Sequence, residues 1–192
     1  MECSCSDIVR KNAEKSLALA MALFPSEEWV PTETNIWFAK SRLPQEYREP
    51  QKWEREMSQV RILTKKGSVA YFLPEMEIKG EKYRRCADLV LDGEVMEMKT
   101  ISGTRETLGG KFRLGYNQGA SLFKYCTIPN TFSKNHSVYI RLLSNIPVNS
   151  VKAKIAGVLK YRHDRGSFIC YFENTSELYT WTYEELRSII GR

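Results

Sequence analysis

Asp92-Gly93 stands between two short apolar runs, residues 87–91 and 95–101, within the stretch RRCADLVLDGEVMEMKTIS at residues 84–102. A two-residue Asp-Gly loop between alternating segments is the strongest short-range signal for a tight β-hairpin. With those two residues in the loop, Leu91 pairs with Glu94, Val90 with Val95, Leu89 with Met96, and Asp88 with Glu97. Side chains alternate with period two, so Asp88, Glu97 and Lys99 share one face, while Leu89, Leu91, Met96 and Met98 form the other. One face builds core; the other carries ionisable groups.

Two carboxylates placed opposite each other on paired strands repel, because their Cβ atoms lie only about 4.5–5.5 Å apart. A divalent cation would compensate them. Oxygen-only ligands suit Mg²⁺ or Mn²⁺, which take one or two carboxylates and keep waters for a substrate phosphate. The alternative is that Asp88 sits at a frayed strand end and reaches solvent.

Asp88, followed across the hairpin by Glu97-Met98-Lys99, resembles the PD-(D/E)XK nuclease signature, with Ala87 where that pattern often has proline. The context is similar too. A preceding helix carries the acids of Trp53-Glu54-Arg55-Glu56, a strand at residues 69–73 runs into Pro74-Glu75, and a following helix contains Asn117-Gln118. That order, over residues 53–143 or about half the chain, resembles the C-terminal tRNA-nuclease domains of contact-dependent growth inhibition toxins. The resemblance implies an α/β fold with an αβββαβ core, a mixed central sheet flanked by helices, and a helical, irregular N-terminal extension. It implies divalent-metal-dependent phosphodiester hydrolysis with Mg²⁺ or Mn²⁺ as cofactor, Asp88 and Glu97 as metal ligands, and Lys99 acting on water or on transition-state charge. Nucleic acid is the expected partner, RNA favoured over DNA.

Composition agrees with such a partner without requiring it. The 192 residues suffice for one well-buried domain, and 42% hydrophobic with 27% charged residues argues against wholesale disorder. Lys and Arg number 29 against 23 Asp and Glu, a net charge of +6 with a pI near 9.0, which favours a polyanion. The five cysteines, Cys3, Cys5, Cys86, Cys126 and Cys170, are odd in number and scattered, so a reducing cytoplasm is the simplest setting. Cys3 and Cys5 could ligate zinc, but no second Cys or His pair follows at finger-like spacing. Residues 16–24 superficially resemble a signal peptide; Asp7 and Glu14 interrupt the basic region before them, and the apolar run is very short. No stretch approaches the roughly eighteen apolar residues of a membrane span, so no membrane is expected as partner.

Along the chain, Ser6 or Asp7 can cap a helix ending near Phe24-Pro25. Pro31, Pro44 and Pro50 then punctuate residues 26–52, which read as an irregular segment burying Trp29, Trp37, Phe38 and Tyr47, with room for a short helix. Residues 1–52 form the aromatic-rich extension packed on the core, and residues 53–192 the nuclease-like domain. Trp53, Met57, Val60 and Leu63 recur at helical spacing before Gly67. Glu56 lies at the edge of that stripe, and in the resembled enzymes an acid on this helix points to the metal. Glu56 is therefore placed ahead of Glu54 as a third site acid and metal ligand, the alternative being that both are solvated acids at a helix N-terminus.

After Lys99, a polar segment holding Ser102-Gly103-Thr104-Arg105 and Gly109-Gly110-Lys111-Phe112-Arg113 reads as a loop, with Lys111 and Arg113 as substrate contacts. Helix signals resume over residues 116–125. Gln118 is either a substrate contact, as in many enzymes of the resembled fold, or a plain surface residue. Residues 138–143 read as a strand, 148–161 as a helix, 167–172 and 177–181 as a closing hairpin or a sheet edge, and 183–190 as a last helix. Lys152, Lys154, Lys160, Arg162, His163 and Arg165 either extend a backbone-binding groove or form a solvated face. Three other functions compete: a DNA endonuclease of the same fold, a non-catalytic nucleic-acid-binding module, and a protein-interaction module, for which the aromatic extension would meet a protein partner or inhibitor.

Overall fold

The computed structural model describes residues 5–75, 87–104 and 106–190. Cys3, the Cys5 side chain, Cys86, Arg105 and most of the connection leading into the hairpin lie outside them.

The described chain is an α/β protein whose strands form one mixed sheet in sequence order: β1 (Trp29–Glu33), β2 (Ile36–Ala39), β3 (Ala70–Phe72), β4 (Leu89–Leu91), β5 (Glu94–Ile101), β6 (His136–Leu142), β7 (Ser167–Phe172) and β8 (Glu177–Thr182). The pairs β2/β3, β5/β6 and β6/β7 are parallel and the rest antiparallel. Parallel neighbours need crossover connections. Here they contain α2 (Gln45–Arg48) and α3 (Pro50–Thr64), then α4 (Leu108–Tyr125), then α5 (Val148–Leu159). Helices α1 (Cys5–Leu23) and α6 (Tyr183–Ser188) complete the described set.

Alternation of side chains sorts the core into two layers. Trp53, Met57, Val60 and Leu63 of α3 pack on Phe38, Phe72, Leu89, Leu91, Met96 and Met98. The opposite face takes α1 against Tyr71, Val90 and Val95, and α4, α5 and α6 against Val138, Ile140 and Phe168. The hairpin's apolar face therefore belongs to the α3 layer, as its alternation requires.

Asp92 and Gly93 have φ of 51° and 85°, the positive pair that a two-residue turn of this hand demands. Asp92 Oδ1 accepts from the Val69 N–H at 2.8 Å, and the Gly93 N–H donates to Ser16 Oγ at 2.9 Å. A Cβ at Gly93 would stand 2.9 Å from Lys15 Cβ, so α1 closes over the turn and only glycine fits beneath it. Three of the four expected pairs form: Leu91 with Glu94, Val90 with Val95, and Leu89 with Met96. The fourth does not. Asp88 N–H turns to the Met96 carbonyl at 3.1 Å, and its carboxylate Oδ2 takes the Met98 N–H at 2.8 Å in place of a strand carbonyl.

Three other expectations need correction, the simplest being Tyr47, which is 84% exposed and not buried with the other aromatics. Residues 26–52 are not irregular, because they supply β1, β2 and the start of α3. Proline misled the reading: Pro31 lies on the edge strand β1, the one place in a sheet where a missing N–H costs little. Phe38 stacks between Trp53 and Phe72, each at 4.2 Å between centroids, and Trp37 stacks on Tyr71 at 4.9 Å. Burying one such ring contributes about 1.5–3 kcal/mol. Nor is the Gly109-to-Arg113 segment a loop; it is the first half of α4. Leu108 and Phe112, one turn apart and both fully buried, outweigh a helix cost of roughly 1 kcal/mol for each glycine.

Candidate active site

The sheet opens where β4 stops at Leu89 while β5 runs on to Ile101. Beyond that point, the edge of β5 faces a cleft of about 260 Å³ lined by Lys52, Glu56, Gln59, Asp88, Lys99 and Thr100, together with Arg55 and Met98. Asp88 is held at its mouth by the two backbone bonds just described. Its own carbonyl accepts from Leu73 N–H at 3.0 Å and from Arg42 Nη1 at 2.9 Å.

Glu97 points to the α4 side of β5 and is only 2% exposed. Two glycines one turn apart let α4 descend onto it. A Cβ at Gly119 would lie 3.7 Å from Glu97 Cβ and 2.9 Å from His136 Cδ2, and one at Gly115 would lie 3.4 Å from Lys99 Cγ. Glu97 Oε1 pairs with the Lys99 ammonium, while Oε2 is buried without a hydrogen-bond partner among the described residues. Burial, reinforced by the nearby Asp88 charge, pushes the Glu97 carboxyl well above the usual carboxylate range, with Lys99 opposing.

Glu56 reaches the cleft from α3, whereas Glu54 points outward to Arg61 at 2.6 Å. The Glu56 carboxyl is also raised, first by burial and then by Asp88, against the pull of Arg42 and Lys52. Arg42 is the residue the sequence reading missed. Its guanidinium, 2% exposed, donates to Glu56 Oε2 at 2.7 Å, Gln45 Oε1 at 3.1 Å and the Leu73 carbonyl at 2.9 Å, and lies 4.0 Å from Asp88 Oδ1. It arrives on a short 3₁₀ turn, Lys40–Arg42, directly after β2. No local pattern marks it; only the demand of buried acids for a cation could have prompted a search.

The structure thus brings Glu56, Asp88, Lys99 and the neighbouring Glu97 to one place. It does not bring Gln118, Lys111 or Arg113 into the cleft lining. Gln118 is buried in α4 with Oε1 unpartnered among the described residues, and Lys111 and Arg113 are exposed on the same helix.

Among the described residues, no three His, Cys, Asp or Glu side chains group so as to hold an ion, and Glu56 is engaged by Arg42 at 2.7 Å. Two carboxylates nevertheless fit a hard divalent ion. Among the described residues Glu97 Oε2 has no hydrogen-bond partner, Asp88 Oδ1 lies 4.0 Å from Arg42, and the donor set is all oxygen. Comparison of the chain with family models, with curated proteins and with solved structures returned no match.

Proposed function

We propose that this chain is a divalent-metal-dependent nuclease of the PD-(D/E)XK type that hydrolyses phosphodiester bonds, with RNA favoured over DNA. The observation that carries the reading is the fork at the start of β4, where Asp88 and Lys99 line an open cleft and Lys99 pairs with the buried, half-unpartnered Glu97 behind it. The element order α3-β3-β4-β5-α4-β6 supports it, being the αβββαβ order of the family the sequence resembles. The lean to RNA rests on that resemblance.

Asp88 and Glu97 would hold Mg²⁺ or Mn²⁺, and the ion supplies polarisation of a phosphoryl oxygen and a bound water of lowered pKa. Holding the ion would take Glu97 out of its pair with Lys99, which would free the Lys99 ammonium to orient water or stabilise charge on the phosphate. Arg42 fixes Glu56 and the Asp88 backbone, so the carboxylates are set before substrate arrives. Arg55 adds positive charge to the cleft wall for the phosphate backbone, whereas the Lys52 ammonium pairs with Glu49 and Glu75.

A second reading, a nucleic-acid-binding module without chemistry, is favoured by one observation: Arg42 and Lys99 already neutralise the acids without an ion. The deciding experiment incubates the protein with labelled tRNA, other RNA, single-stranded DNA and duplex DNA, each with Mg²⁺, Mn²⁺ or excess chelator. Metal-dependent cleavage of RNA is the expected result. Binding without cleavage under every condition would favour the second reading.

A further inference from the structure

The turn between α5 and β7 carries Lys160, Tyr161, Arg162, His163 and Arg165 in six residues. Its backbone is fastened from several sides. Arg187 Nη1 donates to the carbonyls of Arg162 at 3.3 Å and Asp164 at 3.0 Å, Tyr116 Oη–H bonds the Asp164 carboxylate, and His136 N–H donates to the Arg165 carbonyl at 3.2 Å. Gly166 has a φ of 146°, and a Cβ there would fall 1.8 Å from the His136 carbonyl oxygen, so the turn cannot relax outward by substitution. Arg162 ties the turn to α4: its guanidinium lies 5.1 Å from the Tyr116 ring centroid and Nη2 donates to Asn117 Oδ1 at 3.3 Å. Helix α4 is the same helix that presses Gly115 and Gly119 onto Lys99 and Glu97.

Just before these fastened residues the Tyr161 side chain stands 79% exposed, a large ring left in water. Lys160 Nζ sits 5.3 Å from its centroid and covers one face; the other is open. Beside it lies a polar cleft of about 620 Å³ lined by Asn135, His163, Arg165, Ser167 and Arg187, with Glu94 and Glu184 also on its wall. Glu94 is engaged by the Ser137 hydroxyl at 2.9 Å.

We propose that this turn is a binding surface for single-stranded nucleic acid, in which an unpaired base stacks on the open face of Tyr161 and the flanking phosphates meet Lys160, His163 and Arg165. The proposal rests on the nuclease reading for its place in the molecule, and it names the strand form that the site would accept. Aromatic platforms set among cations are the chemistry of single-strand binding, since every base has a π-face and every linkage a charge. A duplex, whose bases are already stacked, gains the charge and not the ring.

The test is fluorescence anisotropy with a labelled single-stranded RNA of about twelve nucleotides and the matching duplex, in excess chelator so that nothing is cut. Tyr161→Ala is expected to weaken single-strand binding by about 5- to 150-fold, Tyr161→Phe to stay within about twofold of the parent, and duplex binding to change by less than about twofold. Melting curves of both variants should match the parent, because so exposed a ring carries little packing. Single-strand affinity unchanged in Tyr161→Ala, or duplex and single strand weakened alike, overturns the proposal. Cleavage with Mg²⁺, measured separately, keeps the two readings apart. A parent that binds as described but never cleaves defeats the nuclease and leaves the binding surface. A parent that cleaves, with Tyr161→Ala indistinguishable in Kd and KM, defeats the surface and leaves the nuclease.

Discussion

Arg42 and Glu56 form a buried ion pair, Nη2 to Oε2 2.7 Å, in which the arginine side chain is 2% exposed and the glutamate 12%. The pair joins the N-terminal part of the chain to α3, and through the Asp88 carbonyl it also joins both to the start of the hairpin. A guanidinium is suited to the place, since its five donors on a planar fork reach Glu56, Gln45 and the Leu73 and Asp88 carbonyls, four acceptors against the three donors of an ammonium.

Removing one partner of such a pair strands the other. Arg42→Met is expected to destabilise the fold by about 3–5 kcal/mol in urea unfolding at pH 7. Arg42→Lys should recover only part of that, and Arg42→Met combined with Glu56→Gln should lose less than Arg42→Met alone. A fully stable Arg42→Met would mean that the acids hold together without this cation.

Glu97 gives the sign of one pH effect. Its folded-state carboxyl is raised above the ordinary value near 4.5, so the folded protein holds that proton more tightly than the unfolded chain. The stability it contributes is complete below about pH 4.5 and is lost as pH rises through the raised value. Glu97→Gln keeps the shape and removes the ionisation. Relative to the parent, the variant should therefore grow more stable as pH increases from 4.5 to 8 in thermal melts without metal. A difference that does not vary with pH would show that Glu97 ionises freely in the folded state.

Lys99→Ala should abolish cleavage while leaving affinity for Mn²⁺ within a few-fold, because an ammonium cannot be a metal ligand but can act on water or phosphate. Loss of its ion pair also bares Glu97 Oε1, which if anything favours the cation. Cleavage at the parent rate would remove the lysine from the chemistry.

The hairpin was legible because its instructions are local. Asp92-Gly93 dictates the turn, alternation dictates the faces, and three of the four residue pairs follow. The pair that failed, Asp88 with Glu97, lies where local rules yield to a tertiary one: β4 ends, and a side-chain carboxylate substitutes for the missing strand carbonyl at Met98. Helix α3 and the β7/β8 hairpin were equally readable, by periodicity. The strands β1 and β2 were hidden by prolines that an edge strand tolerates, and the first half of α4 by two glycines that burial of Leu108 and Phe112 overrides. Arg42 was hidden most completely. Apart from Gln45, its partners Glu56, Leu73 and Asp88 stand 14 to 46 positions away in sequence, and nothing in the residues around it announces them.

The claim on which the rest depends is that Asp88 and Glu97 together hold a divalent cation. It is tested by thermal melts at pH 7 of the parent and Asp88→Asn, each with and without Mg²⁺ or Mn²⁺; asparagine keeps an acceptor for the Met98 N–H and removes the charge. The parent should gain about 2.7 kcal/mol at a metal concentration a hundredfold above its dissociation constant, if only the folded state binds. Asp88→Asn should gain little and should be, without metal, close to the parent in stability. Equal stabilisation of both proteins by metal, or of neither, would contradict the account.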